Sequence, residues 1–127
     1  MEFKETDISE IQALLIEADR SEELTGFVYP DDSSRKRIAI KEEEAIVGFF
    51  TPRQDPDKVW RMGAIYITPD FRGKGLGSRA IQCFMADKDG RAFIEYSNFA
   101  SKKAYEKAGF KKDKDVPENA GAWFINY

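Results

Sequence analysis

The stretch from Ile65 to Ser78, IYITPDFRGKGLGS, constrains this chain more than any other. It reads as a short apolar strand, a Pro-Asp turn, a loop with glycines at 73, 75 and 77, and the opening of a helix. Glycine permits tight turns and lets backbone N–H groups approach a ligand closely. A helix N-terminus adds unpaired N–H donors and the positive end of the helix dipole. Arg72 and Lys74 stand between the glycines and add charge. Such a segment suits a phosphate, and a pyrophosphate best. Taken alone, it could equally be a surface turn with incidental basic residues.

The residues exclude two common phosphate loops. A P-loop closes on Gly-Lys-Ser/Thr, whereas Lys74 is followed by Gly75 and Ser78 follows Gly77. A dinucleotide fingerprint needs G-x-G-x-x-G; Gly73 and Gly75 fit, but the third position is Ser78.

Composition narrows the chemistry. The chain has no histidine, which excludes a Ser-His triad, a Cys-His pair and a His-ligated zinc site. Cys83 is the only cysteine, so no internal disulfide can form and a reducing cytoplasm is expected. At 127 residues with 42% hydrophobic content, one domain spanning 1–127 is expected. Net charge is −3, which argues against a nucleic-acid partner and weakly suits cationic amines. No apolar run approaches the roughly 20 residues that span a bilayer. The opening MEFKETDISE is charged and has no leader-like apolar segment.

Taken in order, residues 1–4 can open with a strand. Asp7 and Glu10 have capping-box spacing, and Ile8, Ile11, Leu14, Leu15 and Ala18 then recur at helical spacing, predicting a helix over 8–19. Ser21–Ser34 has no clean period and reads as a short second helix and a loop, either lining a substrate site or connecting. A hairpin is expected over 35–50, with an acidic tip at Glu42–Glu44 and a return strand buried on both faces. Residues 52–58 read as a turn, and 59–67 as one long strand feeding the glycine loop. In the following helix, Leu76, Ala80, Cys83 and Phe84 share a face, so Cys83 is expected in the core. A strand over 91–96 should lie parallel to the one before the loop. A helix over 99–108 carries Ala100, Ala104 and Ala108 on one face and stops at Gly109. Strands over 110–114 and 121–127 complete the chain.

Two motifs then converge. Arg72-Gly73-Lys74-Gly75-Leu76-Gly77, preceded by Ile67-Thr68-Pro69-Asp70, resembles the pyrophosphate loop of the GCN5-related N-acetyltransferases. Asn98, Ser101, Tyr105, Glu106, Lys107, Gly109 and Phe110 resemble that family's second signature, one helix and one strand further on. The resemblance covers roughly residues 35 to 127. It implies an α/β (α+β) fold: a mixed, mostly antiparallel central sheet of about six to seven strands flanked by about four helices. It also implies acetyl transfer from acetyl-CoA to a primary amine by direct attack, with no metal, in a monomer or homodimer.

By residue, the resemblance implies that Arg72, Gly73, Lys74, Gly75, Leu76, Gly77 and Ser78 hold the CoA pyrophosphate. Ile65, Tyr66 and Ile67 would pair with the pantetheine arm, where the strand before the loop splays from the strand of Glu95. Asn98 and Ser101 would contact the same arm, and Tyr105 would act as general acid near the sulfur. The general base is open. No acid lies between Val59 and Ile67, and Arg61 stands near where some members carry a glutamate. Glu95, Glu22, Glu23 and Asp31 are the candidates, with Glu95 the most favourably placed. Two alternatives remain: a CoA-binding or protein-interaction module that lost catalysis, and a small nucleotide-binding domain with Glu95 on a ribose.

Overall fold

A computed structural model describes residues 1–21 and 33–127. Strand β1 (Glu2–Glu5) is followed by a 3-10 turn at Ile8–Ile11 and helix α1 (Gln12–Asp19). Helical backbone thus covers the range that the apolar spacing indicates, but its first turn is tighter. Asp7 makes no side-chain cap; its carbonyl accepts from the Glu10 N–H at 3.1 Å instead. The second helix and loop expected over 21–34, with candidate bases Glu22, Glu23 and Asp31, fall mainly outside the described residues.

The hairpin is β2 (Ile38–Glu42) and β3 (Ala45–Phe50). Its pairing runs Ile40 to Gly48 and then Lys41 to Ile46, so Val47 is an extra residue. This bulge inverts the side-chain alternation. Val47 and Phe50 therefore enter one core cluster, and Ile46 and Phe49 the other. The return strand is buried from Val47 to Phe50, as its apolar run requires.

Next come β4 (Arg53–Gln54), β5 (Trp60–Met62), β6 (Ile65–Ile67), α2 (Leu76–Met85), β7 (Gly90–Glu95), α3 (Phe99–Lys107), β8 (Lys111–Val116) and β9 (Gly121–Ile125). One sheet has the order β1-β2-β3-β6 and the other β4-β5-β7-β9-β8. Every pairing is antiparallel except β5 with β7, which is parallel as expected.

The long strand expected over 59–67 is in fact two strands in two sheets. Trp60–Met62 pairs with Gly90–Ala92, and Ile65–Ile67 pairs with Gly48–Phe50. The chain changes partner at Gly63 and Ala64. A Cβ at Gly63 would collide with the Thr51 backbone and with the Arg35 guanidinium, which donates to the Thr51 carbonyl at 2.9 Å. Only glycine leaves room for an arginine over the break.

Helices α2 and α3 cover one face of both sheets. Leu76, Ile81, Tyr105 and Phe110 pack there against Ile38, Ile40, Met62, Ala92, Ile94 and Phe124. Each fully buried aliphatic side chain contributes roughly 1.5–3 kcal/mol. Helix α1 covers the other face of the first sheet, setting Ile11, Leu15 and Ala18 on Ala39, Phe49 and Tyr66. Cys83 is exposed, contrary to expectation. The buried arc of α2 runs through Leu76, Ala80, Ile81 and Met85, and Cys83 sits at its rim beside Arg79. No helix among the described residues is long and apolar enough to cross a membrane.

Candidate active site

The partner change at Gly63 and Ala64 creates the site. β6 is the terminal strand of its sheet, so one of its edges is unpaired among the described residues. Backbone groups alternate sides along a strand. The Ala64 carbonyl and Thr68 N–H bond toward β3, so Ile65 and Ile67 point their N–H and C=O groups at the open edge. Across from them, β7 pairs with β5 only at Gly90–Ala92, leaving that edge of Phe93–Glu95 unpaired as well. The two strands diverge, and a groove of about 300 Å³ opens beside them, with Ile65, Tyr66 and Ile67 along one wall.

The glycine loop closes one end. After the 3-10 turn at Pro69–Phe71, Gly73 and Gly75 take φ of 78° and 75°, left-handed values that side chains rarely adopt. Gly75 is the N-cap of α2. The loop thereby aims the first free N–H groups of a ten-residue helix into the groove, where Gly73, Gly75, Leu76, Gly77 and Ser78 all line it. Ser78 turns its hydroxyl inward and donates to the Gly75 carbonyl at 3.1 Å. Arg72 lines the groove and donates through Nε to the Ile67 carbonyl at 2.8 Å.

Helix α3 forms the opposite wall. Asn98 is its N-cap and accepts the Ser101 N–H on Oδ1 at 3.1 Å. Its amide N–H donors have no partner among the described residues. Ala100, Lys103, Ala104 and Lys107 also line the groove; of these only Lys103 carries no signal in the sequence. Spacing of three and four interleaves two small residues with two lysines on one helical face. That pattern was readable, but it is indistinguishable from an ordinary solvated face.

Of the residues named from sequence, the structure gathers Ile65, Tyr66, Ile67, Arg72, Gly73, Gly75, Leu76, Gly77, Ser78 and Asn98 around one groove. Lys74, Ser101, Tyr105 and Glu95 are not among its lining residues. Lys74 is exposed and lies 4.9 Å over the Phe71 ring. Ser101 contributes its backbone N–H to the Asn98 cap. Tyr105 is 3% exposed and packs edge-on against Phe110 at 5.1 Å, inside the core. Burial pushes its phenol pKa up, which makes it a weaker acid. Glu95 is half-buried. Strand alternation puts it on the face opposite Ala92 and Ile94, away from the helices.

A strand ending in an open edge, a left-handed glycine loop, a helix N-terminus and two lysines define a site for an extended ligand carrying phosphates at one end. A ligand of the acyl-CoA type has that form. The sequence profile described as the Acetyltransferase (GNAT) family matches residues 6–110, and the chain belongs to that family. Its fold is similar to that of an aminoglycoside acetyltransferase, AAC(6')-Ib, in complex with coenzyme A and kanamycin. That match has a TM-score of 0.74 and 14% identity, covering 97% of this chain and 92% of the other. It is also similar to an IAA acetyltransferase from Bacillus cereus, with a TM-score of 0.72, 14% identity and coverage of 98% and 97%. A spermidine N-acetyltransferase chimera from Vibrio cholerae and hSSAT matches with a TM-score of 0.73, 10% identity and coverage of 98% and 94%.

Proposed function

We propose that this chain, as one acyltransferase domain over 1–127, moves the acetyl group of acetyl-CoA to a primary amine by direct attack in a ternary complex in the cytoplasm. The observation that carries this reading is the open edge of Ile65–Ile67 running into the N-terminus of α2. Pantetheine amides pair with the Ile65 and Ile67 edge. The pyrophosphate lies on the amides of 73–77, and Lys103 and Lys107 take the remaining phosphate charge.

The amine nitrogen attacks the thioester carbon, the C–S bond breaks, and the products are an N-acetyl amine and CoA thiol. An alkylamine has a pKa near 10.4, so only about one in two thousand is neutral at pH 7. The N–H proton shed by the attacking nitrogen balances the proton gained by the thiolate, and solvent can carry it. A tyrosine donor is already uphill by roughly 2 kcal/mol against a thiol of pKa about 8.5. The upward shift at Tyr105 widens that gap. In this reading Tyr105 supports the wall of the site, and a backbone N–H on the open edge near Ile67 stabilises the oxyanion.

Thermal stability with acetyl-CoA and, separately, NADH tests the donor. Stabilisation by acetyl-CoA alone is expected; no shift overturns the reading. Thiol release with a panel of amines tests catalysis. Among the described residues the groove lining includes no carboxylate, which favours a second reading: binding without thiol release on any amine would identify a CoA-binding module.

A further inference from the structure

We infer that the acceptor is a small primary amine carrying a carboxylate, as an amino acid does, and that Arg61 is the specificity-determining residue that receives the carboxylate. The inference rests on the acetyl-transfer reading above. With the donor seated on the helix side of the sheets, the amine has to reach the thioester from the opposite face, through the gap between β6 and β7. Residues paired directly across strands share a face. The register therefore sets Arg61 beside Arg91, Phe93 beside Trp123, and Glu95 beside Gly121 on that face.

This wall is aromatic and carries guanidinium groups. Phe93 and Trp123 meet edge to face at 5.5 Å, and the Arg61 guanidinium lies 5.4 Å above Trp123. Arg91 is ion-paired with Asp57. Asp55 takes Arg61 through Nε at 3.0 Å and Arg53 through Nε at 3.4 Å. Arg61 spends only Nε, so its two terminal nitrogens have no partner among the described residues. Those nitrogens form the planar fork that binds a carboxylate through two parallel hydrogen bonds. The row holding Phe93 and Trp123 lies one residue pair from Glu95, about 7 Å along the strand. A ligand bridging the two places its carboxylate on Arg61 and its ammonium toward Glu95 at the gap. A polyamine has nothing to offer Arg61 and meets like charge there.

The test measures thiol release by the full chain with amino acids, the matching amino acid amides, spermidine and kanamycin. Amino acids should exceed their amides by about 10-fold or more in kcat/KM, with both polycations below them. Arg61→Ala should erase that preference by raising KM for the amino acid about 10-fold, leaving KM for acetyl-CoA unchanged. Arg61→Lys, which keeps the charge and loses the fork, should retain part of the preference and guards against a folding defect in the alanine variant. Amides or spermidine used as well as amino acids would overturn the inference. So would a preference that survives Arg61→Ala, or calorimetric binding of acetyl-CoA with no amino acid acetylated. A protein that does not bind acetyl-CoA at all overturns this inference together with the acetyl-transfer reading.

Discussion

The Arg72 guanidinium donates through Nε to the Ile67 carbonyl at 2.8 Å and lies 5.3 Å above the Tyr66 ring. One side chain thus joins the glycine loop to the end of the open strand. The two parts of the candidate donor site are held in register by a contact that neither supplies alone.

Arg72→Ala should release the loop from the strand. Because Arg72 is exposed, the loss of stability should stay below about 1 kcal/mol. Acetyl-CoA binding should weaken about 10-fold, since both a phosphate-facing charge and the loop position are lost. Titration calorimetry beside thermal unfolding checks both. A stability loss with unchanged binding would show that Arg72 only staples the fold.

Gly77 predicts opposite effects on stability and binding. A Cβ there would meet Ile65 Cδ1 at 3.8 Å and Ala104 Cβ at 3.9 Å, which is ordinary contact. Gly77→Ala should therefore stabilise the fold by about 0.4–1 kcal/mol through helix propensity. Gly77→Leu should fill the groove between Ile65 and Ala104 and abolish acetyl-CoA binding while the protein stays folded. Circular dichroism melts and acetyl-CoA titration read the two effects, and tight binding by the leucine variant would place the ligand elsewhere.

Lys103 and Lys107 are exposed residues on the groove wall. Replacing both with alanine should weaken acetyl-CoA about 10-fold at low salt and much less at high salt, because exposed charges are screened within about 10 Å at 0.1 M. The same pair should leave affinity for dephospho-CoA less affected. Equal losses for the two ligands would remove the lysines from phosphate recognition.

The glycine-loop half of the candidate site was legible in the sequence because its backbone takes rare local geometry. Gly73 and Gly75 need left-handed backbone, and Asn98 needs a helix start, so residue type reports position directly. The partner change at Gly63 was not legible, because Val59–Ile67 carries apolar residues at strand spacing on both sides of the break. What divides it is the Arg35 guanidinium, whose residue is 28 positions earlier (63 − 35) and leaves no sequence signal. Cys83 lies outside the core for a simpler reason: helical spacing locates a stripe but not its edges, and Ile81 and Met85 draw the buried arc away from it. Lys103 looks like any solvated lysine until the neighbouring wall is known.

Tyr105 separates two roles that the sequence alone left joined. Burial raises its pKa above the ordinary value of about 10. The folded state therefore favours the protonated phenol. Its contribution to stability is fully present below about pH 10 and is lost as pH rises toward the folded-state value, because the unfolded chain releases the proton first. Tyr66 is shifted up as well, by burial first and then by its bond with Glu17, so some alkaline loss should remain without Tyr105. Tyr105→Phe should flatten the fall of Tm between about pH 9 and about pH 11 relative to the parent chain. It should leave acetyl-CoA affinity intact and change kcat by less than about 3-fold, as expected of a core residue beside Phe110. Thermal melts across that range, paired with thiol-release kinetics, decide the matter. A kcat loss of about 100-fold with unchanged acetyl-CoA affinity would restore Tyr105 as the proton donor to the leaving sulfur.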